Sequence, residues 1–239
     1  GSNITVVPGG SDSNIAMLQR GDIDLAITAT DSADNAIHGW GAFTEPISLS
    51  DVKAIARLYD SKIQFVVLDK LKINSIREII EKKVPIKLSV GLRGSGMEIG
   101  AKRIFKEYGI TLKDIENWGG TVTYFSQSES IRMLGDGQLN TYIASSVVPL
   151  TDLTELALKR NIKILSIPDN IIDNLVKNYN YMPGIITKGT YRGITEDIKT
   201  VCVTNGIFAS GKLDEQVAYL VTKALVDNID DLRQIHNRI

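Results

Sequence analysis

Hydrophobic residues along this chain follow two spacings, one typical of β-strands and one typical of α-helices. Residues 86–90 form a short strand-like run, and beyond a polar turn Met97, Ala101, Ile104 and Phe105 recur every three to four positions. This change of period predicts a strand that leads through a turn into an amphipathic helix. The chain is therefore expected to be an α/β protein.

The rest of the pattern extends this alternation. Strands are predicted at residues 53–58, 63–68 and 162–167, and helices are predicted to begin at Ser75, Pro149 and Asp169. An amphipathic helix near the C-terminus is predicted from the apolar residues Leu213, Val217, Leu220, Val221, Ala224 and Leu225. We expect these apolar stripes to pack in the protein core.

Two segments of the chain echo each other, one early and one in the middle. Residues 13–27 and 129–143 match in their hydrophobic, glycine and Asp/Asn positions. Each follows a β-rich run, at residues 4–7 and 122–125, and each has a glycine where a helix should end. We therefore predict strand, turn, helix, glycine stop and strand in each copy, the unit that builds parallel sheets.

Two such units far apart favour two α/β lobes over a short-period repeat. We predict a first lobe at residues 1–85, a second lobe at residues 86–185, and a hinge return to the first lobe at residues 186–239. Ligands of open α/β sheets bind beyond the carboxyl ends of the strands, so a ligand cleft is expected between the lobes, at the turns 9–13 and 126–128. The serines and aspartates of these turns also suit helix caps, and both roles can hold.

The segment Gly91-Leu92-Arg93-Gly94-Ser95-Gly96-Met97-Glu98 is the most informative candidate site. Its glycines let the backbone approach a ligand, and the first N–H groups of the following helix lack partners within it. With the helix dipole and the Arg93 guanidinium, these donors suit a carboxylate. The alternative is a glycine-rich turn that binds nothing, with Arg93 solvated. A dinucleotide fingerprint fits worse, because Ile99 stands where a third glycine is needed.

Composition narrows the functional classes. The chain has 239 residues, of which 43% are hydrophobic and 23% charged, with a formal net charge of -1. This balance gives no electrostatic reason to expect binding to nucleic acid or to an anionic membrane. No apolar run is long enough to span a bilayer, and no export signal is recognisable. The single cysteine, Cys202, excludes an internal disulfide.

Two other functional classes compete with a binding protein. An enzyme could share a two-lobed scaffold, since fold alone does not fix function. However, His38 and His236 lack zinc-ligand spacing, and His38 is expected to be a loop residue. A Ser-His-Asp group could still converge in space. The effector-binding domain of a transcription regulator would need a helix-turn-helix, and none is recognisable.

Several motifs occur in a specific order along nearly the full length of the chain. They lie at residues 10–15 with 21–27, 90–91 with 94–98, 136–140, 183–184 with 189–193, and 221–228. In this order and spacing they resemble the TAXI-type substrate-binding proteins of tripartite ATP-independent periplasmic (TRAP) transporters.

The resemblance implies a type II periplasmic-binding-protein fold that closes over a small carboxylate, such as glutamate or a related oxo-acid or dicarboxylic acid. It implies periplasmic delivery to the membrane subunits of a TRAP permease rather than catalysis, and no cofactor or metal is expected. Similar proteins begin with a further strand, loop and helix that are missing here. We therefore hypothesise that a second chain or a further segment completes the first lobe.

On this interpretation, ligand contacts come from both lobes. The candidate residues are Ser11, Ser13, Asn14, Thr30 and Tyr59 in the first lobe, and Arg93, Gly94, Ser95, Gly96, Met97, Glu98, Tyr124, Ser145 and Tyr191 elsewhere. The tyrosines are expected to form pocket walls or hinge contacts, with ordinary core packing as the alternative. Glu98 is expected either to receive a ligand ammonium or to serve as a partner of the helix dipole.

Overall fold

The computed structural model describes residues 4–7 and 9–235, so His236 lies outside the described residues. In chain order the elements are α1 (Ser11–Arg20), β1 (Leu25–Ala29), α2 (Thr30–His38), β2 (Val52–Leu68), a 3₁₀ turn (Asp69–Leu71), α3 (Ile76–Glu81), β3 (Lys87–Ser89), α4 (Gly96–Glu107), α5 (Leu112–Asn117), β4 (Thr121–Thr123), α6 (Gln127–Gly135), β5 (Thr141–Ser146), α7 (Thr151–Lys159), β6 (Ile162–Leu165), α8 (Asp169–Tyr179), β7 (Met182–Ile186), β8 (Ile198–Ser210), α9 (Glu215–Asp227) and α10 (Ile229–Ile235). The α/β class is confirmed.

The chain packs as two compact units. The first takes in the chain up to Tyr59 and again from Asn205, and the second is Asp60–Thr204. The chain therefore passes from one unit to the other inside the long strands β2 and β8. The sequence predicted these boundaries at 85/86 and 185/186. The segment that begins at Asp60 belongs to the second unit because the last part of β2 pairs with β5 and β6.

In the first unit, β1 pairs antiparallel with β8, with Leu25 opposite Ala209. Helices α1 and α2 flank β1 in sequence, and α1 buries Ile15 and Leu18. Within the described residues of the chain, no helix combines the length and the apolar character needed to cross a bilayer.

The predicted strand at residues 4–7 is wrong. These residues adopt no regular structure, and Ile4, Val6 and Val7 are exposed. A β-rich run becomes a strand only where a neighbouring strand satisfies its backbone N–H and C=O groups. The first copy of the echo therefore consists of helix, glycine stop and strand, without the preceding strand.

The parallel pairing expected of the first copy is also wrong, because β1 pairs antiparallel with β8, but the order of helix, glycine stop and strand is confirmed in both copies. Helix α1 leads through Gly21 to β1, and α6 leads through Gly137 to β5. Both glycines are left-handed, with φ of 78° and 76°, which is the conformation that ends helices in this way. In the second copy β4 also forms, so β4, α6 and β5 make a crossover unit of parallel strands with β3 between them.

In the second unit, β3 pairs in parallel with the edge strand β4 on one side and with β5 on the other. Strand β2 then runs antiparallel to β5 and to β6, and β7 pairs antiparallel with β8. The core of this unit is built from fully buried side chains of the sheet, such as Phe65 and Tyr142, and of the helices, such as Phe105, Leu134 and Leu153. This is the larger core of the described chain.

A buried polar network crosses this core. Gln64 is fully buried, and its Nε2 donates to Ser146 Oγ at 2.9 Å. Tyr191 Oη donates to Gln64 Oε1 at 2.7 Å and accepts the Leu150 N–H at 2.8 Å. For Tyr191, which is 2% exposed, the alternative of core packing therefore applies. Its hydroxyl is fully engaged within the protein.

The expectation that the last amphipathic helix packs in the core is wrong. Helix α9 has no buried residue, and Val217, Tyr219, Leu220 and Val226 are 42 to 66% exposed. Apolar spacing sets which residues share a face, but burial also needs a neighbouring element to cover that face. Among the described residues of the first unit, no element does this for α9.

The buried network predicts the effect of Tyr191→Phe. The change removes the hydroxyl that joins Gln64 to the Leu150 N–H and leaves both groups buried without it. We expect the free energy of unfolding to fall by about 1 to 3 kcal/mol in urea titrations. Tyr219→Phe is the matched control, because Tyr219 is 64% exposed. Equal stabilities of the two variants would contradict the network's role.

A second tyrosine predicts a dependence on pH. Tyr108 Oη is buried without a hydrogen-bond partner in the described structure, and burial raises the pKa of Tyr108 to about 12. The unfolded chain releases this proton near pH 10, so the stabilisation is complete below about pH 10 and is lost as pH rises towards about 12. Tyr108→Phe should preserve stability at neutral pH and lose less of it over that alkaline window. A steeper alkaline loss in the variant, measured by urea unfolding, would refute this assignment.

Candidate functional site

The carboxyl ends of three parallel strands define one edge of the second unit. Strand β3 leads through residues 91–95 into α4, β4 leads through residues 124–126 into α6, and β5 leads through residues 147–150 into α7. Because parallel strands end at the same edge, these three loops and three helix N-termini lie together. This is the edge at which open α/β sheets bind ligands.

Arg93 and Tyr124 meet at this edge. The guanidinium carbon of Arg93 lies 3.7 Å from the centroid of the Tyr124 ring, a cation–π distance. Arg93 is exposed, and no acidic residue of the described chain forms an ion pair with it. The ring therefore supports one face of the guanidinium, while its N–H donors stay available for a planar, two-oxygen acceptor.

Glu98 is enclosed beneath the same loop. Its side chain is 5% exposed, Oε1 lies 2.7 Å from Lys102 Nζ, and Oε2 accepts the Gly94 N–H at 2.6 Å. Both carboxylate oxygens are therefore engaged within the protein. Of the two roles predicted for Glu98, this geometry favours the partner of the helix N-terminus over the receptor of a ligand ammonium.

The start of α4 divides the loop amides into two groups. Ser95 is the N-cap, its Oγ accepts the Glu98 N–H at 3.4 Å, and its own N–H donates to Leu92 O at 3.0 Å. The amides of Gly94 and Ser95 are thus used inside the chain. The N–H groups of Gly96 and Met97, the first two residues of α4, are the donors that stay directed out of the helix.

Met97 ties the loop to the core. Its Sδ accepts a hydrogen bond from Tyr142 Oη at 3.3 Å, and its side chain packs on the core together with Phe125 and Met133. Burial raises the pKa of Tyr142, so this hydroxyl stays protonated. A Cβ at Gly91 would lie 2.7 Å from Met97 Cβ, and φ of Gly91 is +81°. Only glycine fits there without strain.

The neighbouring elements are joined by residues that the sequence analysis did not include among the candidate ligand contacts. Ser128 Oγ donates to Asp152 Oδ2 at 3.1 Å, which links the first turns of α6 and α7. Ser89 Oγ and Ser130 Oγ lie 2.7 Å apart and are buried, which links the end of β3 to α6. The position of each in a first turn or at a strand end was the signal that could have found them.

Ser145 lies in β5 opposite Ile63 and is half-buried. Its place at the carboxyl end of that strand puts it on the same edge as Arg93 and Tyr124. A direct contact of Ser145 with a ligand stays a prediction.

In the first unit, the predicted polar residues brace the starts of two helices. Ser13 Oγ donates to Gly10 O at 2.8 Å and accepts the Gly10 N–H at 3.1 Å, a reciprocal cap of α1. Asn14 Nδ2 donates to Ile27 O at 3.2 Å. Thr30 is exposed and begins α2. Helix capping is thus established for Ser13, and ligand contact by these side chains stays a prediction.

Two further candidate residues of the first unit accept hydrogen bonds through their backbone carbonyl oxygens. Ser11 O accepts the Thr28 hydroxyl at 3.0 Å, and Tyr59 O accepts Asn205 Nδ2 at 3.4 Å. Asp12, between the two predicted serines, is 1% exposed and accepts the Ala42 N–H at 3.0 Å. The contacts of Ser11 and Asp12 fix the start of α1.

The residues considered for enzyme chemistry have structural surroundings. His38 is the last residue of α2 rather than a loop residue, its Nδ1 lies 2.9 Å from Asp34 O, and its ring stacks on Trp40. Cys202 lies buried in β8, where burial raises the pKa of its thiol. A high thiol pKa disfavours the reactive thiolate.

The chain is similar to a known protein family in sequence and to several solved structures in fold. Residues 2–239 match the model of the NMT1-like family. Among solved structures, MatC from Rhodopseudomonas palustris with bound malate has a TM-score of 0.58 at 12% identity, over 94% of this chain and 73% of that one. The periplasmic binding protein BugD has a TM-score of 0.55 at 14% identity, over 91% and 68% of the two chains.

PhnD1 from Prochlorococcus marinus in complex with methylphosphonate has a TM-score of 0.53 at 16% identity, over 93% of this chain and 68% of that one. At these identities the likeness shows the fold alone. The chain accordingly has a periplasmic-binding-protein fold built from α/β units.

The engagement of Glu98 predicts how the loop responds to mutation. Glu98→Ala removes the acceptor of the Gly94 N–H and the partner of Lys102. We expect amide exchange at Gly94 to accelerate about tenfold or more, as the loss of about 1.4 kcal/mol or more would require. Glu98→Gln, which keeps an amide oxygen as acceptor, should fall between wild type and Glu98→Ala. Unchanged protection of Gly94 in both variants would exclude the contact.

Proposed function

Because the chain belongs to the NMT1-like family, we propose that it is an extracytoplasmic solute receptor that captures a small carboxylate on residues 91–97 and passes it to a membrane permease. The observation that carries this proposal is Arg93, an exposed guanidinium held over Tyr124 without an acidic partner in the described chain. The N–H groups of Gly96 and Met97 supply further donors next to it.

The fold supports a small anion as the ligand class. The malate-bound and methylphosphonate-bound structures are both similar in fold to this chain. A guanidinium holds such an acceptor through two parallel hydrogen bonds, and helix N-terminal amides add donors of the same sign. A few charge-assisted hydrogen bonds of about 1.5 to 3 kcal/mol each, less ordering costs, give roughly micromolar affinity. Such affinity allows release to a permease.

The finer assignment follows the TAXI-type motifs. On this proposal the protein works in the periplasm with the membrane subunits of a TRAP transporter, and its ligand is a glutamate-like amino acid or a related oxo-acid or dicarboxylic acid. Ser11, Ser13, Asn14, Thr30 and Tyr59 stay predicted ligand contacts of the first unit. The exposed face of α9 supports the hypothesis that a second chain or a further segment covers part of this unit.

The function is tested with Arg93→Ala. A thermal-shift screen of amino acids, oxo-acids and dicarboxylates first identifies an acid that stabilises the wild type, since a ligand of the folded state raises its melting temperature. Calorimetry should then show that Arg93→Ala weakens binding of that acid tenfold or more, because a charge-assisted pair exceeds about 1.4 kcal/mol.

Arg77→Ala is the matched control, because Arg77 is an exposed arginine on α3, outside the site. It should bind like the wild type. Unchanged affinity in Arg93→Ala would remove Arg93 from the site. Turnover of the stabilising acid, followed by mass spectrometry, would instead support the enzyme alternative.

A further inference from the structure

A basic cavity lies in the second unit, away from the edge that carries Arg93. Its volume is about 410 Å³, and its lining includes Leu68 at the end of β2, Gly137 after α6, and Arg160 and Asn161 before β6. The Leu68 N–H donates to Asn140 O, immediately before β5 begins. The cavity therefore adjoins the amino end of β5, whereas Arg93 follows the carboxyl end of its parallel neighbour β3.

The charges that line this cavity do not cancel. Lys70, Lys72 and Arg160 line it together with one carboxylate, Asp69. Asp69 Oδ2 lies 3.2 Å from Lys72 Nζ and Oδ1 lies 3.0 Å from Lys163 Nζ, and hydrogen bonds to these two lysines lower the pKa of Asp69. The single negative charge of the cavity is thus already paired with two lysines, so it does not neutralise Lys70 or Arg160.

Neither of these remaining cations has an acidic partner in the part of the chain that the structure describes. Lys70 Nζ lies 3.4 Å from the place that a Cβ on Gly137 would take, so a glycine leaves room beside the ammonium. Arg160 Nε donates to Gly135 O at 2.9 Å, which fixes the side chain and leaves its two terminal nitrogens as donors. The cavity thus contains a fixed guanidinium and an ammonium without a counter-charge.

We propose that this cavity binds a phosphate dianion, either free or as a small phosphomonoester. An arginine fork matches two phosphate oxygens, and a lysine adds a point charge. The volume lies within the range of about 300 to 1,000 Å³ typical of small-molecule sites, which leaves room for the alcohol part of an ester. The contact of Arg160 with Gly135 is explained by the free carbonyl groups at the C-terminus of α6, which attract a nearby cation. The side chain of Lys70, by contrast, makes no hydrogen bond or ion pair within the described residues, to those carbonyls or to any other group.

The experiment titrates inorganic phosphate into Arg93→Ala protein by calorimetry, with ionic strength held constant by chloride. The Arg93→Ala background keeps the loop edge from contributing. We expect saturable binding that weakens tenfold or more in Lys70→Gln and in Arg160→Gln. Lys177→Gln, an exposed lysine of α8 that does not line the cavity, should leave it unchanged. Lys70 is itself exposed, so Lys70→Gln decides the matter even if Arg160→Gln does not fold.

Two further arms complete the test. Glycerol 3-phosphate binding more tightly than inorganic phosphate assigns the site to esters, and the reverse assigns it to the free ion. Affinity should fall between pH 7.5 and 5.5, because phosphate takes up its second proton over this range, near pH 6 when it is an ester, while lysine and arginine stay charged. Absence of saturable binding, equal binding by Lys70→Gln, or binding of a polyglutamate peptide in place of phosphate would each overturn the proposal.

Discussion

The parallel pairing of β3 with both β4 and β5 is the constraint on which the candidate site depends. It forces three loops to leave the sheet at one edge, so residues far apart in sequence become neighbours. Side-chain contacts then lock those loops together: Arg93 over Tyr124, Tyr142 on Met97, and Ser128 on Asp152. The first and last of these contacts each join two different strand–helix connections, and the contact of Tyr142 with Met97 joins β5 to α4. The edge is therefore preorganised by the sheet before any ligand arrives.

Charge is distributed at this edge so that one cation is left exposed. Glu98 and Lys102 neutralise each other, and Glu98 also holds the Gly94 amide. The buried carboxylate thus stabilises the loop without drawing on Arg93, which rests on an uncharged ring instead. An arginine paired with Glu98 would have to break that pair before it could bind an anion. Separating the structural charge pair from the charge proposed to bind the ligand avoids this cost.

Local signals in the sequence predicted much of the second unit. The N-cap at Ser75, the helix after Gly91 and the glycine stops of the echo all depend on residues within one turn of each other. Contacts between residues that are far apart in the sequence could not be predicted from such local signals. Tyr191 meets Gln64 across 127 positions, so nothing near Tyr191 distinguishes a core tyrosine from a pocket wall. The prediction that α9 packs in the core was wrong for the same reason. Hydrophobic periodicity shows which residues share a helix face, but not whether another element covers that face.

The two anion-binding arrangements proposed for the second unit differ in how they hold their charge. At the loop edge, a single guanidinium on an aromatic ring faces water, where screening keeps each contact modest. At the amino end of β5, Lys70 and Arg160 line a cavity with Lys72 and Asp69, and the Asp69 carboxylate is already paired with Lys72 and Lys163. On the two proposals, the first arrangement holds one carboxylate group of its ligand, whereas the second matches both charges of a phosphate dianion. The number of uncompensated charges at each site, rather than basicity alone, therefore distinguishes the two proposals.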